Sequence, residues 1–195
     1  MRKTLLFVLL GLSTTTFAET STEKLQVLKT VKNFAQSIAC ETSFEGGATD
    51  KPTTLKDVYS LDDGYYLVNW SGDVGCNGGT GTMSNHFTPV ERLSDSRPFL
   101  VNLENSLDAF GLDNELAYSK AEAKGVSNIN FRFIDSVKKL NNSTFEIISL
   151  TFADKQFGGN PDAGDGFPPN KIKFVVKNID GHWKITNRTL ISQEK

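Results

Sequence analysis

The sequence predicts an α+β fold in which one N-terminal helix packs on a twisted antiparallel β-sheet of about six or seven strands. Three observations predict it. They are an apolar stripe at helical spacing near the N-terminus, two hairpin patterns in the C-terminal third, and a weaker meander between them. Each hairpin pattern has one apolar and one polar face, which is typical of an antiparallel sheet covered on one side.

The helix is predicted from Thr22 to Cys40, with Ser21 or Thr22 as its N-cap. A helix with a single apolar stripe must bury it, so we expect this face to lie on the sheet. The residues at the spacing of that face are Leu25, Leu28, Val31, Ala35 and Ile38.

The last hairpin has the clearest pattern. Apolar and polar residues alternate from Lys171 to Lys177, and Asp180-Gly181 follows as a two-residue turn of type I′. Pairing across this turn brings the apolar residues of both strands onto one face. The predicted cross-strand pairs are Val176 with Ile185 and Asn178 with Trp183.

A second hairpin is predicted around residues 141–143. One parity of each flanking strand is apolar, and any even-length loop would bring these two sets together. The residues expected on the shared face are Phe131, Phe133, Val137, Ile148, Leu150 and Phe152.

The meander is predicted around Asp63-Gly64. Runs from Met83 to Leu93 and from Pro98 to Leu103 would continue it as strands, and residues 105–124 are predicted as one or two short helices. The residues expected on one common face are Tyr59, Leu61, Tyr66, Val68 and Trp70.

The first 18 residues have the pattern of a cleaved signal peptide. An Arg-Lys pair precedes an apolar run, Leu5 to Leu12, and Thr16-Phe17-Ala18 offers small residues at the positions read by a signal peptidase. The run is far shorter than the ~20 residues that span a bilayer. We therefore expect residues 1–18 to be removed and residues 19–195 to form one exported domain, periplasmic or secreted, without a membrane span.

Cys40 and Cys76 are the only cysteines, and an exported chain meets an oxidising compartment. An even count in such a chain predicts one disulfide between them. The alternative is a reactive thiol, which would be exposed to oxidation. We expect the disulfide.

The composition excludes some function classes. The chain has 195 residues, 38% of them hydrophobic, and a formal net charge of −2. This is globular, and it lacks the basic excess of a nucleic-acid-binding protein. We therefore expect no nucleic-acid partner.

The histidines and glycines form no catalytic signature. His86 and His182 are far apart in the chain, with no nucleophile elbow or zinc-ligand spacing around them. The glycine-rich segment 71–81 lacks the Gly-Lys-Ser/Thr ending of a phosphate-binding loop. We therefore expect no enzymatic activity, no metal and no cofactor.

A long loop rich in glycine, proline and aspartate spans residues 158–170. Loops of this length inside a compact domain are usually functional. We expect Asp162, Asp165 and Phe167, with Phe157 at the border, to contact a partner, because aromatic residues dominate interface energetics. Two alternatives stay open: the phenylalanines fold back to close the loop, or the aspartates line a calcium site.

The order of a helix followed by long hairpins resembles cystatin-like and NTF2-like domains in outline, although fold alone does not determine function. The combined observations favour a non-enzymatic exported protein that binds an envelope or secreted protein. An inhibitor or immunity protein against an envelope toxin or hydrolase is its concrete form. The alternatives are a small-molecule or lipid carrier and a hydrolase with an unrecognised site.

Overall fold

The computed structural model describes residues 21–45, 51–62, 64–76, 78, 82–107, 128–152, 156–158 and 169–193. Within these ranges the chain forms one α-helix and nine β-strands in two antiparallel sheets. The α+β prediction is confirmed, and the strands outnumber the six or seven expected. The predicted signal peptide and nearly all of the predicted helices of residues 105–124 lie outside the described residues.

The elements follow one another from a helix into two successive sheets. They are α1 (Ser21–Ile38), β1 (Ala39–Thr42), β2 (Val58–Asp62), β3 (Tyr65–Val74), β4 (Ser84–Glu91), β5 (Leu100–Val101), β6 (Ile134–Asn141), β7 (Thr144–Thr151), β8 (Asn170–Ile179) and β9 (His182–Gln193). Sheet A has the order β1-β3-β4-β5, with β2 also paired to β3, and sheet B has the order β6-β7-β8-β9. The runs predicted to continue the meander are confirmed as β4 and β5.

Strand β3 is the centre of sheet A and is buried on both faces. Its first half pairs with β2 and its second half with β1, while β4 runs along the other edge. Tyr66 and Val68 pack with α1, and Leu67 packs with sheet B. Sheet A is therefore the middle of three layers, and the strands form two sheets where one was expected.

The helix buries four of the five predicted residues, Leu28, Val31, Ala35 and Ile38, at least in part, and it also buries Val27. Val27, Val31 and Ala35 are fully buried against sheet A, whereas Leu25 is 58% exposed. Leu25 precedes Val27 by two residues, about 200° around the helix axis, so both cannot face the sheet. The assignment of Leu25 to the buried face is wrong.

The hairpin of β8 and β9 has the predicted register. Val176 pairs with Ile185 and Asn178 pairs with Trp183. Both turn residues have positive φ, 54° at Asp180 and 84° at Gly181, as a type I′ turn requires. The turn residues and the alternation therefore predict the pairs from the turn to Val176, beyond which the register shifts.

The predicted common face of the meander is wrong. Val58 pairs with Val68 and Tyr59 with Leu67, and the register shifts between Ser60 and Asp62. Tyr59 consequently packs on the side of sheet B, opposite the face that Val68 presents to α1. Leu61 lies with Tyr59, and Tyr66 and Trp70 lie with Val68.

The predicted face of the β6–β7 hairpin is also wrong. Phe145 and Ile147 are the β7 residues buried between the sheets, so Ile148 and Leu150 lie on the outer face. The register shift between Lys139 and Asn141 reverses, for Ser136 to Lys139, the parity that an even loop would give. Of the other residues, Phe131 and Val137 pack in the inter-sheet core, and Phe133 pairs with Phe152 at 6.4 Å.

Candidate functional site

A cleft of about 400 Å³ lies between sheet A and the β6 side of sheet B. This volume is within the range of ligand-binding clefts. We call it the inter-sheet cleft. It is lined by residues 51–53, Asp57, Tyr59, residues 69–71, Asn85 and residues 134–137.

The cleft begins where one face of β3 changes from apolar to polar. Leu67 is fully buried between the sheets, and the next two residues on that face are Asn69 and Ser71. Polar side chains at these positions do not continue the core, so the space between the sheets opens. This change of character along one face is a signal that could have located the cleft from the sequence.

Tyr59 presents its hydroxyl in the cleft from β2. Its ring packs edge-to-face on Phe145, with the ring centroids 5.2 Å apart. Burial raises the pKa of Tyr59 to about 12, and the nearby Asp57 carboxylate adds to the effect. The phenol is therefore neutral at physiological pH, and its hydroxyl forms no hydrogen bond with another described residue.

The side chain of Asn69 also forms no hydrogen bonds with described residues. Its Oδ1 atom is buried and accepts no hydrogen bond, and its amide nitrogen donates none to any residue that the structure describes. A buried acceptor without a donor costs about 1–3 kcal/mol. Asn69 therefore destabilises the fold at a position where leucine would extend the core.

Ser71 and Asn85 form a fixed polar pair on neighbouring strands. The Ser71 hydroxyl donates to Asn85 Oδ1 at 3.1 Å, and Asn85 Nδ2 donates to the Phe131 carbonyl at 3.0 Å. The Asn85 backbone N–H donates to the same carbonyl at 2.7 Å. These bonds attach the chain before β6 to sheet A and define one end of the cleft.

A second attachment defines the other end. Lys139 Nζ, from β6, donates to the carbonyl of Ser60 in β2. Between Phe131 and Lys139, residues 134–137 line the cleft and form no hydrogen bond with the described residues of sheet A. The two attachments therefore hold β6 beside sheet A while leaving a gap between them.

Two carboxylates give the cleft a negative side. Asp57 Oδ2 accepts from the Thr54 backbone N–H at 2.8 Å, which leaves its other oxygen open. Asp135 pairs with Lys171 at 3.0 Å. Lys51 is the basic residue of the lining.

Cys40 and Cys76 form the predicted disulfide, with their Cα atoms 5.1 Å apart. It joins β1 to the chain just after β3, beside a hydrogen bond from the Gly75 N–H to the Ile38 carbonyl at 3.1 Å. A disulfide indicates an oxidising compartment. Among the described helices, none is both long and apolar enough to cross a membrane.

The predicted partner loop is described only at its base. Asp162, Asp165 and Phe167 lie outside the described residues. Phe157 is half-buried and packs against the inter-sheet core, and its carbonyl accepts from Gln193 Nε2 at 3.1 Å. The Phe157 side chain is therefore only partly exposed to solvent.

The two histidines are in different environments. His86 is buried on β4, with its ring 4.6 Å from that of Trp70, and His182 is exposed at the start of β9. In the described part of the chain, no three His, Cys, Asp or Glu side chains come close enough together to hold a metal ion.

Comparison with protein-family models, curated proteins and solved structures finds no significant match to this chain. The outline resemblance to cystatin-like and NTF2-like domains has no structural neighbour to support it.

Proposed function

We propose that this is an exported, non-enzymatic protein that binds an envelope or secreted protein, and that the inter-sheet cleft receives part of that partner. In this proposal residues 1–18 are a cleaved signal peptide and the mature chain is periplasmic or secreted. An inhibitor or immunity protein against an envelope toxin or hydrolase is the concrete form.

The main support for the proposal is a pair of polar groups in the cleft that form no hydrogen bonds with described residues. The Tyr59 hydroxyl and the Asn69 amide have no hydrogen-bond partners among the described residues. Asn69 Oδ1 is the buried atom of the two, and natural proteins rarely leave a buried polar atom without a partner unless the site has a further role. A partner that offers matching donors and acceptors would satisfy both groups.

The chemistry of the cleft favours binding over catalysis. A phenol with a pKa of about 12 holds its proton and acts as a hydrogen-bond donor, not as a base near neutral pH. The amide of Asn69 does not titrate, and one oxygen of Asp57 already caps the turn at Thr54.

The experiment is affinity capture from an envelope extract with the mature tagged protein and three variants. Tyr59→Phe removes one hydroxyl and Asn69→Leu removes one amide, whereas Asn187→Leu removes an exposed amide on β9. We expect the wild type and Asn187→Leu to capture the same protein, and both cleft variants to lose it. Capture that is equal in all four would overturn the proposal.

The loop of residues 158–170, with Asp162, Asp165 and Phe167, is proposed as a second contact. Deletion of residues 161–167 should then weaken capture while leaving the melting temperature nearly unchanged. Undiminished capture would remove the loop from the binding surface.

A small polar ligand is the second candidate, favoured by the size and polar lining of the cleft. A thermal-shift screen with lipids and polar metabolites distinguishes the two. A small molecule that stabilises the wild type but not Asn69→Leu would favour the carrier, and a protein partner predicts no such response.

A further inference from the structure

Four consecutive residues of β6, Ile134 to Val137, line the inter-sheet cleft. Ser136 and Val137 follow the register shift at the start of β6 and point to opposite faces of the sheet, so a cleft lined by both runs along the edge of the strand. Strand β6 is the last strand of sheet B and pairs with β7 alone among the described strands. Its other edge is the wall of the cleft.

An open strand edge presents backbone N–H and C=O groups that another extended chain can pair with. Among the described residues, 134–138 form no hydrogen bonds beyond those to β7 and the Asp135–Lys171 ion pair. The four residues that line the cleft, 134–137, span roughly 13 Å of strand.

We infer that the partner inserts an extended segment of about four residues into the inter-sheet cleft, where it pairs with the free edge of β6 and directs a basic side chain to Asp57. This rests on the proposed function and specifies how the partner is held. Backbone hydrogen bonds would supply the affinity, and the cleft side chains would supply the specificity.

The charges of the cleft select the basic side chain. Asp57 has an open carboxylate oxygen, Asn69 Oδ1 lacks a donor, and Tyr59 stays neutral. These groups call for donors, and an acidic side chain would be repelled by Asp57, whereas the charge of Asp135 is already paired with Lys171. A second copy of this chain does not fit, because its own β6 is flanked by sheet A and cannot enter a cleft of about 400 Å³.

The test titrates three capped peptides of alternating valine and lysine into the ¹⁵N-labelled mature protein. Binding is monitored through the backbone amide signals of residues 134–137. The first peptide is unmodified, the second is N-methylated at alternate residues on the edge that would face β6, and the third has glutamate for lysine. We expect the unmodified peptide to shift these signals at millimolar concentration. The methylated peptide should bind at least about tenfold more weakly, since it lacks the backbone donors.

The charge is tested by two matched variants. Asp57→Asn removes the cleft charge and keeps an oxygen for the Thr54 cap, and Asp180→Asn removes an exposed charge in the β8–β9 turn. The lysine peptide should lose about threefold to tenfold in affinity in Asp57→Asn and none in Asp180→Asn.

Unchanged signals for residues 134–137, or equal binding of the methylated peptide, would overturn strand pairing. Tighter binding of the glutamate peptide would overturn the choice of a basic side chain. Neither result would affect the proposed function, which fails only if the captured partner is retained by both Tyr59→Phe and Asn69→Leu.

Discussion

The indole ring of Trp70 lies directly against Gly72. A Cβ atom added at Gly72 would stand 2.4 Å from Cζ3 of Trp70 and 3.1 Å from the Glu41 carbonyl oxygen. The ring cannot move away easily, because Trp70 is buried and its Nε1 donates to Thr88 Oγ1 at 2.8 Å. Glycine at position 72 is therefore required by close packing between β1 and β3.

Gly72→Ala should destabilise the protein by about 1–3 kcal/mol, the usual cost of overpacking. Urea denaturation measures the change. In a Trp70→Leu background, where the clashing ring atoms are gone, the same substitution should cost less than half as much. An equal cost in both backgrounds would show that the Trp70 contact is not the cause.

Loss of the disulfide should lower stability by about 3–4 kcal/mol on the loop-entropy estimate, since Cys40 and Cys76 are separated by 36 residues. Calorimetry of a Cys40→Ala/Cys76→Ala variant should show a melting temperature lower by roughly 6–15 °C. Mass spectrometry of exported material should find neither thiol free. Two free thiols, with one alkylating fast, would revive the reactive-cysteine alternative.

Arg92 connects α1 to sheet A. Its guanidinium pairs with Glu23 of the helix and lies 4.9 Å from the Phe99 ring centroid, and the Tyr66 hydroxyl donates to the same Glu23 at 2.9 Å. Arg92→Leu should therefore cost about 1–3 kcal/mol. Asp95→Ala is the matched control: its side chain is 95% exposed, so loss of its pair with Arg92 should cost under about 0.5 kcal/mol. Equal costs would contradict this role of Glu23.

The raised pKa of Tyr59 makes stability fall at alkaline pH. The folded protein holds the proton up to about pH 12, whereas the unfolded chain releases it near the ordinary value of 10. The contribution is therefore fully present below pH 10 and is lost as the pH rises from 10 to 12, because the unfolded state deprotonates first.

Urea unfolding of the wild type and Tyr59→Phe between about pH 9 and pH 11 measures this contribution. The wild type should lose more stability than the variant over that range. Parallel curves would show that Tyr59 has its ordinary pKa.

Asn69→Leu should leave the melting temperature unchanged or raise it, because it removes a buried acceptor that has no donor and extends the apolar row from Leu67. Differential scanning calorimetry checks this. A loss of more than about 1 kcal/mol would indicate a structural role for the amide and weaken its assignment to binding.

Sequence patterns predicted those parts of the fold that depend on residues close together in the chain or on a unique pairing. The β8–β9 pairs from the turn to Val176 followed from Asp180-Gly181 and alternation, because a two-residue turn fixes the pairing next to it. The disulfide followed from cysteine count and compartment. Where a register shift lies between two strands, as it does between Ser60 and Asp62, alternation predicted the wrong shared face.

Local patterns and cysteine count were enough to predict the helix, most of the strands, the Cys40–Cys76 bridge and the turn of the last hairpin, since each depends on residues close in the chain or on a unique pairing. Strand β1 was not predicted, because the helix was expected to continue to Cys40. Only the tertiary structure decided that β3 is covered on both faces and that Tyr59, Asn69 and the edge of β6 meet in one cleft. The reason is that this meeting depends on how one sheet lies over another, a relationship between residues about 65–80 positions apart that no local spacing encodes.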